Sequence, residues 1–141
     1  MRVYADTSFL VSLYIEDRHS RAADERLRSG ASLWATPLHG AEWNHAIAQL
    51  VFRGHLAAAE AERVYRQFES DRGAGLWTTA DLPEKAFDLC ADLARRYGSK
   101  LGVRTLDSLH VACAVELGAE QFWTFDDRQR KLAKALGLTV H

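Results

Sequence analysis

The sequence predicts an α/β fold with about five strands in a mostly parallel sheet flanked by helices. Three observations carry that expectation. Short runs rich in β-branched and aromatic residues alternate with stretches of helical periodicity along the whole chain. Acids or hydroxyls stand where strand-like runs end and helices begin, as at Asp6-Thr7-Ser8 and Thr36-Pro37. The length of 141 residues, with 48% apolar and 26% charged content, is that of one globular domain, residues 1–141, with no linker, repeat or low-complexity segment.

The first strand is read through Val3-Tyr4-Ala5 to Asp6, where Thr7 and Ser8 can cap the following helix or bind water near the carboxylate. An apolar helix runs to Tyr14, and Glu16-Asp17-Arg18-His19 forms a polar break with His19 on a surface loop. Ser20 to Ser29 reads as an exposed helix with Ala22, Ala23 and Leu27 inward, stopped by Gly30. Ala31 to Thr36 is the second strand. Thr36 then caps a helix with Pro37 at its first position; it runs to about Arg53, Gly54 stops it, and Ala41, Ile47, Ala48, Leu50 and Val51 form its apolar side.

Ala57 to about Arg72 is amphipathic, with Val64, Tyr65 and Phe68 at helical spacing, suited to the core or to a dimer or partner surface. Leu76 to Thr79 is the third strand. A helix starts at Asp81-Leu82-Pro83 and continues through Leu93 and Ala94. Arg95, Arg96, Lys100 and Arg104 lie in a segment loosened by Gly98 and Gly102, read as a flexible basic loop: either a contact for a polyanion backbone or a solvated loop. Thr105 is expected to cap the next helix, which places Asp107 in its first turn and ends at Gly118. His110 lies on its apolar stripe and reads as a packed core histidine, and Ala112 and Ala114 suit close packing on a sheet. Gln121 to Phe125 is the fourth strand, ending at Asp126-Asp127; Arg128 to Leu136 is helical, and Leu138 to Val140 is the fifth strand.

The net charge of -1 excludes a uniformly basic nucleic-acid binder, but the charge is uneven. Residues 1–94 hold 10 basic and 14 acidic side chains, whereas residues 95–141 hold 8 basic and 5 acidic. Phe9 to Ile15 is too short, and too soon closed by Glu16 and Asp17, for a signal peptide or membrane span. Cys90 and Cys113 have no metal or redox spacing and read as two buried free thiols in a reducing cytoplasm.

The acids then form a pattern. Asp6 and Asp126 end predicted strands, and Glu42 and Asp107 lie in the first turns of helices starting at the same edge. In a parallel sheet these ends point one way, toward the crevice where open α/β sheets bind ligands. Taken singly, Asp6 reads first as a helix cap and Glu42 as part of a solvated helix face. Together, four carboxylates would repel and raise one another's pKa values unless a hard divalent cation joined them. Mg²⁺ or Mn²⁺ suits such oxygen ligands.

Val3-Tyr4-Ala5-Asp6-Thr7-Ser8, Glu42, Thr105-Leu106-Asp107-Ser108-Leu109-His110-Val111-Ala112 and Thr124-Phe125-Asp126 resemble, in order and spacing, the four acidic signatures of PIN-domain nucleases. In size the chain is most similar to the VapC-type toxins of toxin–antitoxin pairs. The resemblance implies a PIN-like three-layer fold and Mg²⁺- or Mn²⁺-dependent endoribonuclease activity through metal-activated water. Asp6, Glu42, Asp107 and Asp126 would be its catalytic and metal-binding set. Thr7, Ser8 and Thr105 match supporting polar positions, and Asp127 could share or replace the role of Asp126. A homodimer and a cognate antitoxin are further implications. Two other readings stand beside it: a non-catalytic PIN-like RNA- or partner-binding module, and a haloacid-dehalogenase-like phosphatase. The latter expects a second Asp where this chain has Ser8.

Overall fold

The computed structural model describes residues Met1–His141. In chain order it contains β1 (Arg2–Ala5), α1 (Thr7–Tyr14), α2 (Ser20–Leu27), β2 (Ser32–Ala35), α3 (Pro37–Phe52), α4 (Ala58–Gly73), β3 (Thr78–Thr79), α5 (Lys85–Leu93), a π-helical turn (Ala94–Gly98), α6 (Ser99–Leu101), α7 (Thr105–Glu116), β4 (Gln121–Trp123), α8 (Asp127–Ala135) and β5 (Thr139–Val140). The alternation of five strands with helices is the expected α/β pattern. No helix is long and apolar enough to cross a membrane. The chain packs as two compact units, Met1–Asp6 with Asp81–His141, and Thr7–Ala80.

In the first unit β1 pairs in parallel with β4, Val3 opposite Gln121 and Ala5 opposite Trp123, and β4 pairs in parallel with β5. Val3, Tyr4 and Ala5 are all fully buried, as expected of a parallel strand covered on both faces. The Tyr4 ring stacks on Phe122 at 5.7 Å, and its hydroxyl lies 2.8 Å from His110 Nδ1. His110 is thus a core histidine, as its place on the apolar stripe predicts. Ala112 and Ala114 are fully buried, and Cys90 and Cys113 are buried free thiols. Burial pushes the Cys113 thiol up to about 11.

In the second unit β2 pairs in parallel with β3, Trp34 opposite Thr78. Thr36 caps α3 with Pro37 behind it, as the dipeptide predicts. His39 completes the cap: its Nδ1 accepts from the Thr36 backbone N–H at 3.1 Å. The inward face of α3 is His39, Trp43 and Ile47, whereas Ala41 and Ala48, expected inside, are exposed. The bulky indole, not the small alanines, sets which side turns inward. Trp43 stacks on Phe68 at 4.1 Å, and Tyr14 meets both rings edge-on. The Tyr14 hydroxyl donates to Asp71 at 2.6 Å and accepts from Trp77 Nε1 at 3.1 Å. Burial and the Asp71 acceptor raise the Tyr14 phenol well above its ordinary range.

Several boundaries differ from the sequence reading: β3 is only Thr78–Thr79, α5 begins at Lys85 and not at Asp81-Leu82-Pro83, and three further differences bear on the site. Residues 95–104 are not a flexible loop: the chain stays helical through Leu101, and only Gly102, at φ 68°, turns left-handed to end it. Gly98 keeps a helical φ of −56°, so a glycine alone does not break the run. Thr105 is the first helical residue of α7, and Arg104 holds the capping position. Asp126 does not end β4, which stops at Trp123; it caps α8.

Phe68→Ala, which removes one face of the Trp43 stack, is expected to lower unfolding free energy by about 3–5 kcal/mol in urea titration. A loss under about 1 kcal/mol would show that this cluster does not hold the Thr7–Ala80 unit together.

Candidate active site

Where β1 ends, one further bond continues the ladder: the Asp6 N–H donates to Trp123 O at 3.1 Å. The Asp6 side chain is then enclosed, with 3% of the residue exposed. Burying a carboxylate without compensating donors costs several kcal/mol, about as much as a small domain's whole margin of stability. One donor here is Thr124, itself fully buried, whose hydroxyl lies 2.9 Å from Asp6 Oδ2. A hydroxyl donating to a charged oxygen is among the stronger protein hydrogen bonds.

Thr124 makes two more contacts. Its oxygen accepts from the Asp126 N–H at 3.0 Å, and it lies 3.0 Å from Gln129 Oε1. Asp126 caps α8, its Oδ1 accepting from the Gln129 N–H at 2.9 Å. Gln129 therefore stands at the third helical position, where a glutamine side chain reaches back toward the helix start. It is 3% exposed, and its Nε2 lies 3.4 Å from Asp107 Oδ1. The amide takes this orientation because the reverse would set two acceptors against each other. Asp107 lies in the first turn of α7, as expected, and its Oδ2 accepts from the Arg104 N–H at 3.3 Å and from Arg104 Nε at 3.5 Å. An arginine side chain has no acceptor, so only the Asp107 half of a capping box forms.

Asp6, Asp107 and Asp126 are thus brought onto one hydrogen-bonded chain through Thr124 and Gln129. Asp127 stands outside it: its side chain is 79% exposed and pairs with Arg130 at 3.4 Å. Thr105 is also exposed. In the Thr7–Ala80 unit, the Thr7 hydroxyl donates to Glu42 Oε1 at 2.8 Å. Thr7 and Glu42, with Ser8, Ser12 and Asp17, line a cavity of about 310 Å³.

No three or more Asp, Glu, His or Cys side chains are grouped so that they could together hold a metal ion. The donor chemistry nevertheless fits one kind of ion. The oxygens on the Thr124–Gln129 chain are carboxylate oxygens, with no thiolate or imidazole among them. Mg²⁺ keeps several waters and needs only one or two protein carboxylates, so an open pair suits it where a structural zinc would require four ligands.

The basic residues divide into two kinds. Arg96 pairs with Asp92 at 3.1 Å and lies over the Tyr97 ring, while Arg104 leans on Asp107. Arg95 and Lys100 are exposed on the helical continuation. The run is free of acids within itself, but acids on either side of it engage two of its four cations.

The site residues absent from the sequence reading are the Thr124 hydroxyl and Gln129. The signal for Gln129 was present: Asp126-x-x-Gln129 is the spacing of a cap and a third helical position that answers it.

The PIN domain profile matches residues 3–135. Ribonuclease VapC46 of Mycobacterium tuberculosis is 29% identical over 140 residues, covering 98% of this chain and 95% of that protein. The crystal structure of FitAcB from Neisseria gonorrhoeae is similar with a TM-score of 0.73 at 17% identity, over 98% of this chain and 95% of that one. VapC20 of Mycobacterium tuberculosis, a sarcin–ricin loop cleaving toxin, superposes with a TM-score of 0.68 at 16% identity, over 97% and 96% of the two chains.

The two neighbouring aspartates separate in a stability measurement. Asp126→Ala removes the α8 cap and is expected to cost about 0.5–2 kcal/mol, whereas Asp127→Ala at the surface stays within about 0.5 kcal/mol. Equal losses in thermal or urea unfolding would contradict the division of roles.

Proposed function

Because this chain belongs to the PIN-domain family, we propose that it is a divalent-cation-dependent endoribonuclease and the toxin of a type II toxin–antitoxin pair. One observation carries the reading: three aspartates distant in sequence hang on one buried Thr124–Gln129 chain. Ordinary surface acids have no reason to be organised in this way. The name of the VapC46 relative and the toxin described for VapC20 support the same activity. PIN-family membership replaces the haloacid-dehalogenase-like alternative, whose second aspartate the chain lacks.

Asp6 and Asp107 would hold the cation, Mg²⁺ or Mn²⁺, with Asp126 Oδ2 open because capping occupies only Oδ1. When bound, the cation supplies a more acidic water and neutralises charge growing on the phosphoryl oxygens. The chain's residues do the rest. Thr124 fixes the direction of the Asp6 carboxylate, and the Arg104 N–H with Gln129 fixes that of Asp107. Glu42 enters the acidic set through the family resemblance, as a water-mediated ligand or a base, with Thr7 orienting its Oε1. Thr105 and Asp127, both exposed, have at most a supporting part.

Arg95 and Lys100 offer exposed charge to the RNA backbone. Arg96 can join them, since a surface ion pair such as Arg96–Asp92 is worth only about 0–1 kcal/mol and exchanges readily for phosphate. Arg104 belongs more to Asp107 than to RNA. Water would attack phosphorus in line with the 3′ oxygen; the P–O3′ bond breaks and that oxygen takes a proton as it leaves, giving a 5′-phosphate and a 3′-hydroxyl. The same reading carries a homodimer, a cytoplasmic location and an antitoxin that sets a basic side chain among the acids.

Asp6→Asn is isosteric and removes a buried charge. With Mn²⁺ and RNA it is expected to lose cleavage by about two to three orders of magnitude, to the level left by EDTA, while melting no lower than the wild type. Undiminished cleavage in that variant would contradict the assignment, and a wild type inert in Mn²⁺ would favour the non-catalytic binding module.

A further inference from the structure

The Thr124 hydroxyl has one hydrogen and two acceptors, Asp6 Oδ2 at 2.9 Å and Gln129 Oε1 at 3.0 Å. It cannot serve both. Gln129 cannot turn its amide around to relieve the conflict, because its oxygen would then face Asp107 Oδ1, now 3.4 Å from Nε2. Its backbone is held as well, through the N–H donated to Asp126 Oδ1. Both side chains are buried. Asp6 Oδ2 and Gln129 Oε1 therefore compete for the one Thr124 hydrogen, and Gln129 Nε2 links that competition to Asp107.

We propose that Gln129 is a positioning residue for the cation site. With the charge of Asp6 neutralised, the Thr124 hydrogen passes to Gln129 Oε1, and Nε2 is locked onto Asp107. With Asp6 charged and no cation bound, the hydrogen stays on Asp6 and Gln129 Oε1 loses that donor. The amide couples the two carboxylates, so occupation at one preorganises the other. Gln129 touches neither substrate nor cation; it acts through Asp107, Asp126 and Thr124. The inference rests on the ribonuclease reading above, and its test separates the two.

The first measurement follows the Gln129 side-chain amide of the wild-type protein by NMR, assigned through its own residue's correlations, during Mg²⁺ titration. Its resonances are expected to shift with the same midpoint as the Asp126 backbone amide. Resonances that stay still at saturating Mg²⁺, while Asp126 moves, would overturn the proposal without any variant. The second measurement titrates Mn²⁺ calorimetrically into the wild type and into Gln129→Met, which keeps the length and loses the amide. Loss of an outer-shell partner is expected to weaken Mn²⁺ by about 10–100-fold. The Mn²⁺ requirement for RNA cleavage should rise in proportion, with kcat recovering at saturating metal. Equal Mn²⁺ affinity in a folded Gln129→Met would remove Gln129 from the account and leave the ribonuclease reading intact. A wild type that neither binds Mn²⁺ nor cleaves RNA would remove both.

Discussion

The hydrogen bond from Thr124 to Asp6 is the contact on which the unit formed by Met1–Asp6 and Asp81–His141 is arranged. It exists because β1 lies parallel to β4, so the residue after each strand falls at the same edge. The edge is where Asp6 must leave the ladder and where Thr124 follows Trp123. A carboxylate is buried there against a hydroxyl that is itself buried, and every other acid of that unit's site is tied to that hydroxyl. Were the strands shifted by one residue, each side chain would change face and the pair would part.

That arrangement costs stability in the protein alone. One hydrogen, that of Thr124, is claimed by two acceptors. Enzyme sites commonly hold such local conflict because the missing interaction comes from the ligand. A divalent cation would match such a site in charge and in its preference for oxygen. The aromatic cluster of Trp43, Phe68, Tyr14 and Trp77 is held by ring packing: the Tyr14 hydroxyl and Trp77 Nε1 find partners, whereas Trp43 Nε1 is buried without one. It serves the fold and has no chemistry to offer RNA.

Much of this was legible in the chain, for local reasons. Thr36-Pro37 marked a helix start because both residues act on their own neighbours. Asp107 fell in a first turn because helix dipoles favour acids there. His110 read as core from its stripe. What was not legible depended on partners far away in sequence. Gln129 sits among Arg128, Arg130 and Lys131, where composition suggests a solvated helix face, and only the register of α8 against α7 turns it inward. Asp126 resembles a strand end because the strand-like run Gln121–Phe125 extends two residues past β4. The run from Arg95 to Arg104 looked like a loop because two glycines were given equal weight, whereas only Gly102 adopts a positive φ.

The central claim is that Asp6 and Asp107 share a divalent cation. Its most direct test is anomalous diffraction from crystals soaked in Mn²⁺. The account predicts a Mn²⁺ peak between the Asp6 and Asp107 carboxylates, with Thr124 and Gln129 in its outer shell. Peaks found only away from these two carboxylates would contradict it.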